Sequence, residues 1–311
     1  MKPFRKHVAI AIDGGGILGT IVCRALAHLE EHMGQPSAEL FRVAAGTSTG
    51  SIISGGIACG LTAARLTELY ASLGPVVFRK SLRTFFWPLT RYMYPIEPLR
   101  QMLDTYYGGA KLGDLWERTP RHDVVISAFD LTTNHTCFIK PWKPQYADWP
   151  LSTAVAASCS VPTFFPPIDG QYVDGGVGSY SNPCYLAAYE ISFYLSWDPR
   201  ETTLISLGTG RNPHTIKKGD ADRYRAWHWI GPILTAFQQS ADDQQVHLVD
   251  TFFKDLDFRR FQLDLREPHV MDDASCIPQL LAYGDELWNK MLNDEVDPIL
   301  EMKAGQVDAQ P

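Results

Sequence analysis

No stretch of this 311-residue chain reaches the ~18 consecutive apolar residues that a membrane-spanning helix requires, so no transmembrane segment is expected. Excess positive charge is missing too. The 28 Lys and Arg residues stand against 35 Asp and Glu, a balance of −7, and a nucleic-acid partner, whose phosphates would need neutralising, is not expected. The six cysteines (Cys23, Cys59, Cys137, Cys159, Cys184 and Cys276) show no Cys-x-x-Cys and no His at zinc spacing. They are expected as buried free thiols in a reducing compartment, not as a disulfide framework. After Lys2, Arg5 and Lys6 the apolar run lasts five residues before Asp13, shorter than a signal-peptide core, which points to the cytoplasm. Repeats and low-complexity linkers are also absent. The tail at 303–311 is expected to be disordered, and residues 1–302 to form a single domain, with 45% apolar side chains to build its core.

What is present centres on Val43-Ala44-Ala45-Gly46-Thr47-Ser48-Thr49-Gly50, an apolar strand-like run that ends in Gly-x-Ser-x-Gly and passes directly into Ser51-Ile52-Ile53-Ser54. It reads as a nucleophile elbow. Glycines at 46 and 50 remove the Cβ atoms that would block a sharp strand-to-helix turn, so Ser48 can be held in strained backbone at a helix N-terminus, where dipole and free N–H groups favour negative charge. Upstream, an apolar strand at 7–12 ends in Asp13-Gly14-Gly15-Gly16, and Ile17, Ile21, Leu26 and Leu29 then fit one helical face. Three glycines there let backbone N–H groups approach a ligand oxygen. Downstream, Gln171-Tyr172-Val173 runs into Asp174-Gly175-Gly176, a short strand and tight turn that presents one carboxylate.

The remaining chain alternates strands and helices. Strands are expected at 40–45, 123–129 and 203–207, with a turn at Thr132-Thr133-Asn134 reversing the second into a partner at 136–139. Helices are expected at 49–60, from a Thr62 cap to 73, at 95–107, 151–159 and 183–195, at 227–253 with a break near Gly231-Pro232, and at 275–302 with Leu280, Leu281, Leu287 and Leu292 on one face. This pattern indicates an α/β fold: a three-layer α/β/α arrangement with a mostly parallel central sheet and the loops at one sheet edge forming the site.

The three motifs Asp13-Gly14-Gly15-Gly16-Ile17-Leu18-Gly19, Gly46-Thr47-Ser48-Thr49-Gly50 and Asp174-Gly175-Gly176 resemble the patatin-like phospholipase family in type, order and rough spacing. Ala154 through Pro167 and Ser206-Leu207-Gly208-Thr209-Gly210 extend the likeness to roughly residues 7–212. The resemblance implies a metal-independent serine lipid acyl hydrolase of phospholipase A or lysophospholipase type. Ser48 would attack an acyl ester carbonyl, Asp174 would take its proton, and the N–H groups of Gly14, Gly15 and Gly16 would hold the oxyanion. An aspartate starts near pKa ~3.9, so Asp174 must be partly desolvated to serve as a base near neutrality. Two departures are visible. Leu18 stands where the family usually has Arg or Lys, which leaves the oxyanion to backbone N–H groups alone, and Ser181-Asn182-Pro183 replaces the usual Asn-Asn-Pro.

Other readings remain open at this level. A weakly active lipid-binding or interaction protein of the same fold would also fit Leu18. A Ser-His acyltransferase or esterase would need His214, His228, His247 or His269, none of which lies in a turn motif. Gly14-x-Gly16-x-x-Gly19 satisfies the dinucleotide pattern, but the second strand lacks the acidic end that a ribose needs. Asp13 is expected to anchor the glycine loop. The pairs Asp242-Asp243 and Asp272-Asp273 are expected as solvated helix ends, and no cofactor and no metal, calcium or zinc included, is implied.

Residues 76–94 form the one basic, aromatic stretch: Phe78, Phe85, Phe86, Trp87, Tyr92 and Tyr94 interleave with Arg79, Lys80, Arg83 and Arg91, without an acidic residue. It reads either as peripheral membrane contact for a glycerophospholipid or other acyl-ester lipid substrate, or as an irregular cover on the core.

Overall fold

Strand β1 (His7–Ile12) is buried from Val8 onward, and a strand apolar on both faces needs neighbours on both edges and helices on both sides. It has them. β1 pairs in parallel with β2 (Val43–Gly46) on one edge and with β6 (Thr202–Leu207) on the other, and β6 carries β7 (Asp257–Phe261) beyond it. On the far side β2 pairs in parallel with β3 (Asp123–Asp130), which turns through Asn134 at φ 57° into antiparallel β4 (His135–Ile139). A short antiparallel strand, β5 (Tyr172–Asp174), completes a seven-stranded sheet of order β4-β3-β2-β1-β6-β7 with β5 on β3. This computed structural model describes residues 1–297 except 87, 88, 214, 215, 217, 218, 226, 227 and 229, together with all side chains there save those of 82, 83 and 230–236. Trp87, His214, Trp227 and the expected tail at 303–311 therefore lie outside the described residues.

Alternation along the strands divides the core. Ile10, Ile12, Ala44, Val124 and Ile126 face a layer built from α1 (Gly19–Met33), α2 (Thr49–Ala58), α3 (Ala63–Val76), α4 (Glu97–Tyr107), α5 (Leu151–Cys159) and α8 (Ile277–Leu292). Ala9, Ala11, Val43, Ala45 and Val125 face the other way, onto α6 (Cys184–Tyr189) and α7 (Ile230–Phe252). Helices thus cover both faces, and the mostly parallel three-layer arrangement expected from the sequence is the one observed. No helix among the described residues is long and apolar enough to cross a membrane.

Local chemistry sets most boundaries. Thr62 caps α3 by accepting the Arg65 N–H at 3.3 Å, and Gly108, in the left-handed region at φ 64°, ends α4. Three expectations need correction. Leu40 closes a helical turn (Ser37–Leu40) instead of opening β2, because its N–H and that of Phe41 are spent on the carbonyls of Pro36 and Ser37. Gly231-Pro232 lie in the first turn of α7, where proline is tolerated, so they do not break it. The buried face of α8 is Leu280, Tyr283, Gly284, Leu287 and Met291, with Leu281 and Leu292 half-buried. Strand β7 had no expectation at all.

Candidate active site

Ser48 sits at φ 53°, ψ −123°, between β2 and the wholly buried α2. Positive φ is uncommon for a residue with a Cβ, and the surroundings must hold it. They do so by close approach. A Cβ on Gly46 would collide with the Gly50 carbonyl, and one on Gly50 with the Ile12 carbonyl. The backbone is then pinned by side chains: Ser158 Oγ accepts the Ser48 N–H at 2.8 Å, Ser51 Oγ donates to the Ser48 carbonyl at 2.6 Å, and Thr47 Oγ1 bonds Ser127 Oγ at 2.6 Å.

Sheet topology brings Asp174 to this turn. One edge of β3 pairs with β4, while the opposite edge is shared: β2 takes Asp123 to Ile126, and β5 takes Ala128 to Asp130. Gly46 lies opposite Ile126 and Asp174 opposite Ala128, so β2 and β5 meet nearly end to end and the two motifs converge. Asp174 is buried at 5% exposure; Oδ1 accepts the Gly176 N–H at 2.7 Å, and Oδ2 has no hydrogen-bond partner. Burial pushes its carboxyl up to about 6, against the lowering pull of the Ser48 hydroxyl and the Gly176 N–H. The Ser48 hydroxyl thus favours the carboxylate, although no well-aligned hydrogen bond joins the two.

The glycine loop needs one correction. The Gly14 N–H donates to the Ser181 carbonyl at 2.9 Å, and the Gly14 carbonyl accepts from Thr209 Oγ1 at 2.6 Å. Gly14 is therefore a strut. The N–H groups of Gly15 and Gly16 have no acceptor among the described residues and remain able to meet an oxyanion. Behind the loop, Asp13 and Arg260 form a buried ion pair with two contacts, one of 2.8 Å, and Arg260 also donates to Ser206 Oγ at 2.9 Å. Burial raises the Asp13 pKa, with Arg260 opposing it. The anchoring expected of Asp13 has this partner, which sequence reasoning missed.

Two spaces open from Ser48. A polar chamber of about 470 Å³ is walled by Asp174, Thr209, Asn212, Gln239, Asp242 and Gln262 among others, and a narrow apolar slot of about 40 Å³ by Ile52, Leu73, Val77, Phe78, Leu99 and Phe164. Leu18, the departure from the expected cation, is buried and lines the chamber. Of the candidate histidines, His228 and His247 are exposed. His269 is in the chamber wall, 8% exposed, with Nε2 unpaired and no hydrogen bond to Ser48. Asp242 corrects another expectation, since it lies in the middle of α7 and faces the chamber instead of solvating a helix end. Asp272 accepts the Tyr94 hydroxyl at 2.7 Å.

That bond divides the basic, aromatic stretch. Tyr94 is buried and packs with Phe78 and Phe165 beside the slot, whereas Phe85, Leu89, Arg79, Lys80 and Arg91 are exposed. Part of it is cover, and part faces solvent.

Residues 10–188 match the family model described as patatin-like phospholipase. The chain is 29% identical over 227 residues, 67% of its length, to an intracellular phospholipase A2 of Caenorhabditis elegans, and that match spans 20% of the nematode protein. It is 26% identical to Patatin-05 of Solanum tuberosum over 336 aligned positions, 92% of this chain and 84% of that one. VipD from Legionella pneumophila aligns with a TM-score of 0.49 at 10% identity, covering 94% of this chain and 67% of that one.

Proposed function

This chain belongs to the patatin-like phospholipase family of carboxylic ester hydrolases, and from that premise we propose that it cleaves acyl esters of glycerophospholipids or lysophospholipids with Ser48 as nucleophile and Asp174 as base. The observation that carries the reading is the meeting of the strained, buried Ser48 with a buried carboxylate whose pKa stands at about 6. Ser48 Oγ bonds to the ester carbonyl carbon while its proton passes to Asp174 Oδ2. The carbonyl π electrons move to oxygen, and the oxyanion is met by the N–H groups of Gly15 and Gly16 in the turn that leads into α1. Collapse breaks the bond to the alcohol, which takes the proton from Asp174 and leaves as the lysolipid or glycerophosphodiester. Water then repeats the sequence on the acyl-enzyme: its proton goes to Asp174, the acid departs, and Ser48 regains a proton.

The apolar slot beside Ser48 suits the start of an acyl chain, which must widen it to enter. The exposed half of residues 76–94, with Phe85 at 77% and Leu89 at 87% exposure, supplies apolar and cationic groups for settling at a lipid surface. Mass spectrometry of a mixed lipid extract incubated with the chain or with Ser48→Ala tests the reading. Fatty acid and lysolipid should appear only with Ser48 present; identical lipid profiles from both proteins would overturn it.

A further inference from the structure

The polar chamber is built with uneven charge. Among the described residues two guanidiniums line it, and each is already matched: Arg260 by Asp13, and Arg211 by Asp297 at 3.0 and 3.1 Å and by Asp264 at 2.8 Å. Asp242 and Asp243, consecutive on α7, have no ion-pair partner among the described residues. Asp243 Oδ1 accepts the Gln239 amide at 3.0 Å, whereas Asp242 Oδ1 is buried and accepts nothing. The His269 Nε2 in the same wall is also buried without a partner. Unpaired polar atoms of this kind are costly unless a ligand satisfies them, and at about 470 Å³ the chamber falls in the ~300–1,000 Å³ range of small-molecule sites.

We propose that this chamber receives the polar leaving half of the lipid and selects a head group that ends in an ammonium, with Asp242 and Asp243 setting the preference. The proposal rests on the reading of Ser48 as nucleophile, because only then is the chamber the leaving-group side of the reaction. An ammonium seated at Asp242 would give Oδ1 its missing counter-charge. A head group ending in a neutral polyol can hydrogen-bond to these carboxyls but brings no counter-charge, and an anionic terminus sets its negative charge against two acidic side chains while both arginines are committed elsewhere. Burial pushes the Asp242 carboxyl up to about 8, Asp13 adds to the rise and Arg260 opposes it, so an arriving cation would ionise the group and displace a proton.

The test uses monomeric lysophospholipids of one short acyl chain below their micelle-forming concentration, with choline or glycerol head groups, so that surface attraction does not enter and the shared phosphate cancels in the ratio. Close charge pairs in desolvated sites are worth enough that kcat/KM should favour choline by at least about tenfold. In Asp242→Asn and Asp243→Asn, each checked for an unchanged melting profile, that ratio should fall toward one, while Asp242→Glu keeps a choline preference. A ratio equal in wild type and both asparagine variants, with hydrolysis intact, overturns the proposal and leaves the hydrolase reading standing. Titrating Ser48→Ala with glycerophosphocholine and glycerophosphoglycerol separates the two readings. Preferential choline binding lost on adding Asp242→Asn supports the chamber assignment even where no lipid is hydrolysed, and equal binding of both ligands overturns it.

Discussion

Asp174 should set the acid limb of activity. Its carboxyl must be ionised to take the Ser48 proton, and burial raises its pKa from an ordinary ~3.9 to about 6. A base with a raised pKa is competent above that value and disabled below it. At a midpoint of about 6, roughly 90% of molecules carry the carboxylate at pH 7, about half at pH 6 and about 10% at pH 5. On a soluble short-chain ester, kcat/KM should therefore be nearly flat above pH 7 and fall close to tenfold for each unit well below pH 6, with circular dichroism confirming that the fold persists over the range. The Ser48 hydroxyl lowers this pKa, so Ser48→Ala should move the Asp174 titration upward, readable from its carboxylate band in the infrared. A limb centred near pH 4, or a rate unchanged between pH 5 and 7 in folded protein, would show that Asp174 is not the buried base described.

Three further outcomes follow from the same contacts. Arg260→Met removes the partner of buried Asp13 and should cost about 3–5 kcal/mol in denaturant unfolding, while the double change with Asp13→Leu should recover much of that loss. Ser158→Ala deprives the buried Ser48 N–H of its acceptor; it should lower stability by about 1–3 kcal/mol and reduce kcat more than it changes KM. Neutralising Arg79, Lys80, Arg83 and Arg91 should weaken binding to anionic vesicles by about 1 kcal/mol per cation at low salt, a far larger effect than on hydrolysis of a soluble ester; equal loss of both with a lower Tm would make the stretch structural cover.

The parts legible in the sequence were those written in local backbone chemistry. Gly46 and Gly50 are forced by contacts within a few residues or with the neighbouring strand, and the Asp174-Gly175-Gly176 turn is closed by its own carboxylate, so the motifs announced both turns. Strand alternation gave the layers for the same reason. Side chains satisfied from far along the chain left no such trace. Strand β7 carries Arg259 and Arg260 in its interior, which breaks the apolar run that marks a buried strand; Asp13 and the carbonyls of Lys2 and Pro3 satisfy them. Asp242-Asp243 resemble a solvated pair because nothing nearby in sequence shows that α7 turns them toward Ser48. Gly14 looked equivalent to Gly15 and Gly16 until Ser181, on a distant loop, took its N–H. Tyr94 likewise looked like Phe85 and Phe86, which are exposed, and its burial against Phe78 and Phe165 and its bond to Asp272 come from contacts that the local pattern does not record.

The central claim is that Ser48 is a nucleophile activated by Asp174, and covalent labelling addresses it most directly. A fluorophosphonate added to the purified chain at pH 7.5 should form one adduct, mapped by peptide mass spectrometry to Ser48, at a rate that falls at least about a hundredfold in Asp174→Asn and vanishes in Ser48→Ala. Folded protein that leaves Ser48 unmodified, or that labels equally fast with and without the Asp174 carboxylate, would contradict it.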